Sequence, residues 1–131
     1  MDAARVLFVT TDLRDADVVA HEASRLSPGF EFDSSFSLQD ATSRLGQHPY
    51  DAVLLDVLPR QQRQEAIAAI RSQHPSMPLV ALIASTELPS ADPLEAGADV
   101  VIPKKAPFVP RIVGLLGTMF EHASEDVGRP A

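Results

Sequence analysis

Three places in this 131-residue sequence put chemistry-bearing side chains directly after short apolar runs. Ala52 to Leu55 (AVLL) runs straight into Asp56, Val100 to Ile102 is followed by Pro103, Lys104 and Lys105, and the run from Arg5 leads to Thr10, Thr11 and Asp12. A carboxylate oxygen is a nucleophile, and an ammonium beside it balances negative charge on whatever group it attacks. Lysine suits that role as a compact point charge on a long stem. Other chemistries find no support. There is no cysteine, which excludes disulfides, thiolate catalysis and thiolate metal sites. Ser24, Ser34, Ser35 and Ser85 lack a G-x-S-x-G elbow, and His21, His48, His74 and His122 never take H-E-x-x-H spacing. Asp12, Asp15 and Asp17 lack the glycine and distant glutamate of a calcium loop, and acids there suit the positive end of a helix.

The elements that position these residues follow from periodicity. Arg5 to Thr10 (RVLFVT), Ala52 to Leu55 and Leu79 to Ala84 (LVALIA) are continuous apolar runs, as expected of strands covered on both faces. Phe30, Phe32 and Phe36 mark a second extended stretch, and Val100 to Ile102 a short fifth strand. Between them, Ala16, Val19, Ala20, Ala23 and Leu26 recur at helical spacing and stop at Ser27-Pro28-Gly29. Ser37 offers an N-cap with Asp40 three residues on, for a helix that Gly46 is expected to close. Pro59 suits the start of a third helix containing Ala66, Ile67, Ala69 and Ile70, ending before Pro75. Pro89 and Pro93 predict a short or displaced fourth helix, with Gly97 at its end. Val109, Ile112, Val113, Leu116 and Phe120 make the apolar stripe of a last helix, after which a polar tail is expected. Five βα units in sequence imply a doubly wound parallel five-stranded sheet, because parallel strands need right-handed helical crossovers. Chemistry in such sheets gathers at the carboxyl ends of the strands.

Length and a 45% hydrophobic content suffice for one core, so one domain is expected over 1–120, with 121–131 as a tail or linker. The formal charge of -7 repels nucleic-acid phosphates, which disfavours DNA or RNA and favours protein partners. No apolar run approaches the roughly 20 residues that span a bilayer, and the start lacks a leader pattern, so the cytoplasm is the expected compartment.

Over roughly Arg5 to Phe120 the chain resembles the response-regulator receiver family. YDAVLLDVLP is similar to the family's phosphoacceptor strand, and EAGADVVIPK to its glycine-alanine-aspartate stretch leading to a lysine. The resemblance implies the flavodoxin-like (βα)5 receiver fold and a signalling role rather than an enzyme's. It implies Asp56 as acceptor of a phosphoryl group from a histidine kinase or phosphotransfer protein, and Lys104 as the cation contacting that group. It further implies Mg2+ as cofactor, a downstream protein or output domain as partner, and a homodimer or effector surface on the last helix and its neighbours.

Several positions depart from the family's pattern. Thr10 and Thr11 stand where two adjacent acids usually hold Mg2+, leaving Asp12 and Asp56 as a weak metal site. The strand that usually ends in a hydroxyl followed by alanine ends in Ile83 and Ala84, so Ile83 replaces the switch hydroxyl; Val101 replaces the switch aromatic, and Lys105 the proline after the lysine. The loop VLPRQQ is one residue shorter before its proline. Two mechanisms fit: an altered receiver still phosphorylated at Asp56, or a receiver-like interaction module that works without phosphorylation. A more remote alternative is a flavodoxin-like nucleotide or flavin binder, with Thr10 and Thr11 donating to a phosphate. Against it, the first turn has no glycine-rich sequence, and Tyr50 is the only tyrosine, with no tryptophan.

Overall fold

A continuous apolar run gains most from burial when both of its faces are covered, and that is how the strands of this protein are arranged. The computed structural model describes residues 4–57, 59–87, 92–105 and 108–128. Along them run β1 (Ala4–Thr10), α1 (Leu13–Leu26), β2 (Phe30–Ser35), α2 (Leu38–Gln47), β3 (Ala52–Asp56), α3 (Arg60–Gln73), β4 (Leu79–Ile83), α4 (Asp92–Ala96), β5 (Val100–Pro103) and α5 (Val109–Gly128). The strands form one parallel five-stranded sheet, as the alternation predicts, and their order is β2-β1-β3-β4-β5.

Side chains alternate across each strand, so one strand serves two cores. Val6 and Phe8 of β1 pack on the face covered by Ala16, Val19 and Ala23 of α1 and by Ile112 and Leu116 of α5. Leu7 and Val9 turn to the opposite face, against Ala41 and Leu45 of α2 and Ala66, Ile67 and Ile70 of α3. Full burial of a leucine, isoleucine or valine contributes roughly 1.5–3 kcal/mol, so these paired layers dominate the fold's stability. The strand order reverses between β1 and β3. Their register sets Thr10 opposite Asp56, at the crevice where such sheets bind ligands.

The helix termini explain where the elements begin and end. Asp12 caps α1, its carboxylate accepting from Arg14 N–H at 2.9 Å and its carbonyl from Ala16 N–H at 3.2 Å. Ser37 caps α2 as expected, accepting from Asp40 N–H at 3.0 Å. Pro59 occupies the N-cap of α3. Pro93 lies in the first turn of the five-residue α4, where its missing N–H costs nothing.

Two expected boundaries differ. Gly46 does not close α2, which runs on to Gln47 and ends with His48 N–H donating to Arg44 O at 2.9 Å; extended backbone at His48, rather than a left-handed glycine, makes the exit. The polar segment after Phe120 is not loose as far as Gly128, because α5 continues through it; the expected tail at 129–131 lies outside the described residues. No helix among the described residues is long and apolar enough to cross a membrane.

Gly97 ends α4 with φ +129, a conformation that side-chain-bearing residues rarely adopt. A Cβ there would also lie 2.9 Å from Cγ of Arg71. Gly97→Ala should therefore lower unfolding stability by about 1–3 kcal/mol, read as a lower urea midpoint at unchanged slope; an unchanged midpoint would show that the turn relaxes without strain.

Candidate functional site

The site is assembled by strand ends. Asp56 closes β3 and is almost fully buried, at 3% exposure, so its charge has to be met locally. Lys104 Nζ meets it at 3.0 Å from Oδ2, a distance of charge-assisted hydrogen bonding. The lysine is brought there by the β4–β5 ladder, whose continuation has Lys104 N–H donating to Ile83 O at 2.8 Å. Its stem then crosses from β5 to β3. Thr10, wholly buried, places its hydroxyl 3.4 Å from the same Oδ2. That hydroxyl accepts from Asp12 N–H at 3.0 Å and can turn its proton towards Asp56 or towards Asp12 O, 3.3 Å away. Thr11 N–H donates to Asp56 O at 3.1 Å and extends the strand pairing, while the Thr11 residue itself is exposed.

The structure thus brings together Asp56, Lys104 and Thr10. Ile83 is buried and apolar at the end of β4, Ala84 begins the turn that follows, and Ser85 and Thr86 on that turn are exposed. Val101 is half-buried in β5 opposite Ala81, and Lys105 is exposed.

Mg2+ prefers octahedral oxygen coordination with one or two carboxylates. The donors here do not match it. Threonine hydroxyls stand where charge would be needed, the Asp12 carboxylate is engaged in capping α1, and the ammonium of Lys104 lies on the Asp56 oxygen. Among the described residues no group of three or more His, Cys, Asp or Glu side chains is placed to hold a metal ion.

Beside Thr10 lies a cavity of about 400 Å3 between α2 and α3. Its apolar wall includes Phe36, Leu38, Val57 and Ala66, and among the described residues the one charged side chain lining it is Glu65. Thr10, Thr11, Ser37 and Gln62 offer donors there, but among the described residues the lining has no Lys or Arg to balance a phosphate's charge and places Glu65 against it, which disfavours the nucleotide or flavin alternative.

The sequence reading missed a second buried charge. Arg63 is completely buried and makes a bidentate ion pair with Glu87, at 2.8 and 2.9 Å, while its Nε donates to Gln64 at 3.1 Å. The signal was present: 63, 66, 67 and 70 share the apolar face of α3, and a charge on such a stripe needs a partner. The Glu87 carboxyl is held below its usual range chiefly by the hydrogen bonds from Arg63, then by the charges of Arg63 and Arg60, against an opposing effect of burial.

No protein-family model matches the sequence, and no curated protein matches it either. Solved structures do. The receiver domain of the Francisella response regulator 1452 superposes with TM-score 0.78 at 17% identity, covering 92% of this chain and 98% of that one. A CheY-like receiver domain from Methanospirillum hungatei gives 0.78 at 18%, covering 95% and 99%. The response regulator TrrA of Thermotoga maritima, solved with Mg2+ and BeF, gives 0.72 at 22%, covering 86% and 98%; TrrA was also solved in complex with the histidine kinase ThkA. The chain has the receiver fold. Asp56 stands at the end of the central strand, with Lys104 reaching it from the end of β5, across the intervening β4.

Replacing both Thr10 and Thr11 by Asp should lower stability without metal, by setting like charges near Asp56, and restore it with Mg2+. At ~100 times its dissociation constant the ion would add about 2.7 kcal/mol. Wild-type protein should show no such shift in denaturation midpoint; a wild-type shift of that size would mean that the existing donors bind Mg2+.

Proposed function

We propose that this chain is a receiver domain in phosphorelay signal transduction, accepting a phosphoryl group at Asp56 and signalling through protein contacts. The observation that carries the reading is the Lys104 ammonium 3.0 Å from Asp56 Oδ2, at the sheet's switch point. An Asp56 oxygen attacks phosphorus, the P–N bond to the donor imidazole breaks, and the leaving nitrogen retains the bonding electrons. A phosphoryl group then adds negative charge where Asp56 had one. Lys104 is within reach to move from the carboxylate to the phosphoryl oxygens, as Coulomb attraction in a poorly solvated pocket favours. The chain itself is not an enzyme in this scheme: it takes up one group per donor turnover.

The donor is a histidine kinase or a phosphotransfer protein, a reading supported by the receiver-kinase complex among the solved structures. The downstream partner is a protein or an attached output domain, and a homodimer through the last helix and its neighbours is a second route to output. Direct nucleic-acid contact is disfavoured by the net charge of -7, and the cytoplasm is the compartment that suits the chemistry.

One alternative has specific support. Thr10 and Thr11 in place of acids, the capping role of Asp12 and the buried Ile83 favour a module that binds its partner without phosphorylation.

Incubation with phosphoramidate or acetyl phosphate, with and without Mg2+, separates the two by intact mass. The receiver reading expects a single added phosphoryl group in wild type and none in Asp56→Asn, with little dependence on Mg2+. Folded wild-type protein that remains unlabelled by these donors and by histidine kinases would leave the phosphorylation-independent module as the function.

A further inference from the structure

Three arginines of α3, at positions 60, 63 and 71, lie within about 80° of arc at 3.6 residues per turn, and all three reach the chain between β4 and β5. Arg60 pairs with Asp92, the first residue of α4. Arg63 holds Glu87, ahead of α4, by its buried bidentate pair. Arg71 Nε donates to Gly97 O at 2.8 Å just after α4, and its NH2 group reaches Asp99 Oδ2 at 2.9 Å. Asp99 is fixed in turn, accepting from Leu79 N–H at 2.8 Å with the same oxygen. The remaining nitrogen of Arg71 donates to the carbonyls of Met77 at 2.7 Å and Pro75 at 2.8 Å. The described residues from Glu87 to Asp99 are therefore attached before, at and after α4 to one helix.

That helix starts four residues after Asp56, through the buried Val57 and the cap Pro59. Along the other path from the pocket, Ile83 and Val101 present only apolar side chains. A bidentate pair whose guanidinium is completely buried, with its carboxylate 16% exposed, does not slip gradually: it stays intact, so that the two elements move together, or it breaks at a cost set by the arginine left buried without its partner. We propose that α3 is the lever between pocket and α4, and that the Arg63–Glu87 pair is the joint through which a change at Asp56 alters the exposed side of α4. This rests on Asp56 being the regulated residue. The response runs through an arginine clamp rather than through a strand-end hydroxyl and an aromatic ring.

Hydrogen exchange of the full chain, read by mass spectrometry on wild type, Asp56→Asn, Glu87→Gln and the double variant, tests the joint. Glu87→Gln should speed exchange over 84–87 and 92–99 by ~10-fold or more while leaving β1 and β3 protected. Asp56→Asn should change exchange over 92–99 in the wild-type background and not in the Glu87→Gln background. Should Glu87→Gln fail to fold, Arg63→Met with Glu87→Met replaces the pair by apolar packing, and the same loss of response to Asp56→Asn is expected. An equal response with and without the pair, or none in wild type, would overturn the proposal. No arm uses a phosphoryl donor, so a failure of labelling at Asp56 would sink the phosphorelay reading and leave this result to be judged on its own.

Discussion

A carboxylate closed off from water at the end of β3 needs a cation, and the parallel pairing of the sheet decides which groups can supply one. Because β1 and β3 are in register, Thr10 faces Asp56; because β5 is joined to β4 and β4 to β3, Lys104 leaves its strand at the right level to reach across. The resulting pocket is electrically simple. One carboxylate and one ammonium cancel, and Thr10 adds a dipole without a charge. Two further acids in place of the threonines would leave an excess of two negative charges, which is the situation that draws in a divalent ion. Threonines at positions 10 and 11 and the close Lys104–Asp56 contact therefore belong to one consistent arrangement, in which the lysine serves as counter-ion.

Much of this was legible in the residues. The apolar runs ending in Thr10, Asp56, Ile83 and Lys104 located the strand ends, because fully covered strands need uninterrupted apolar sequence and cannot tolerate a charge before they emerge. Ser37 and Pro59 marked helix starts for reasons of local hydrogen bonding and fixed backbone geometry. The misreadings were of a different kind. Gly46 is a residue that can end a helix but does not have to, and the polar run after Phe120 lacks an apolar stripe yet is helical to Gly128. Long-range pairing was least visible: nothing local to Glu87 announces that Arg63, 24 residues earlier, will be its partner.

The two charged features also divide the work of the fold. Lys104–Asp56 joins β5 to β3 across the carboxyl edge of the sheet, whereas the arginines of α3 hold the face beside it. Both are local answers to burial, and neither needs the apolar core to rearrange. This explains how the sequence can depart at several pocket positions from the receiver pattern it resembles while keeping the receiver fold.

The completely buried guanidinium of Arg63 has a consequence for how the sequence can drift. Removing one member of such a pair typically costs about 3–5 kcal/mol, whereas replacing both by well-packed apolar residues is often neutral or favourable. Against a total stability of about 5–15 kcal/mol for a domain of this kind, either single step crosses a deep fitness valley. Positions 63 and 87 are thus bound into one evolutionary unit: among descendants of this sequence they should persist together or be exchanged together, whatever happens at Asp56.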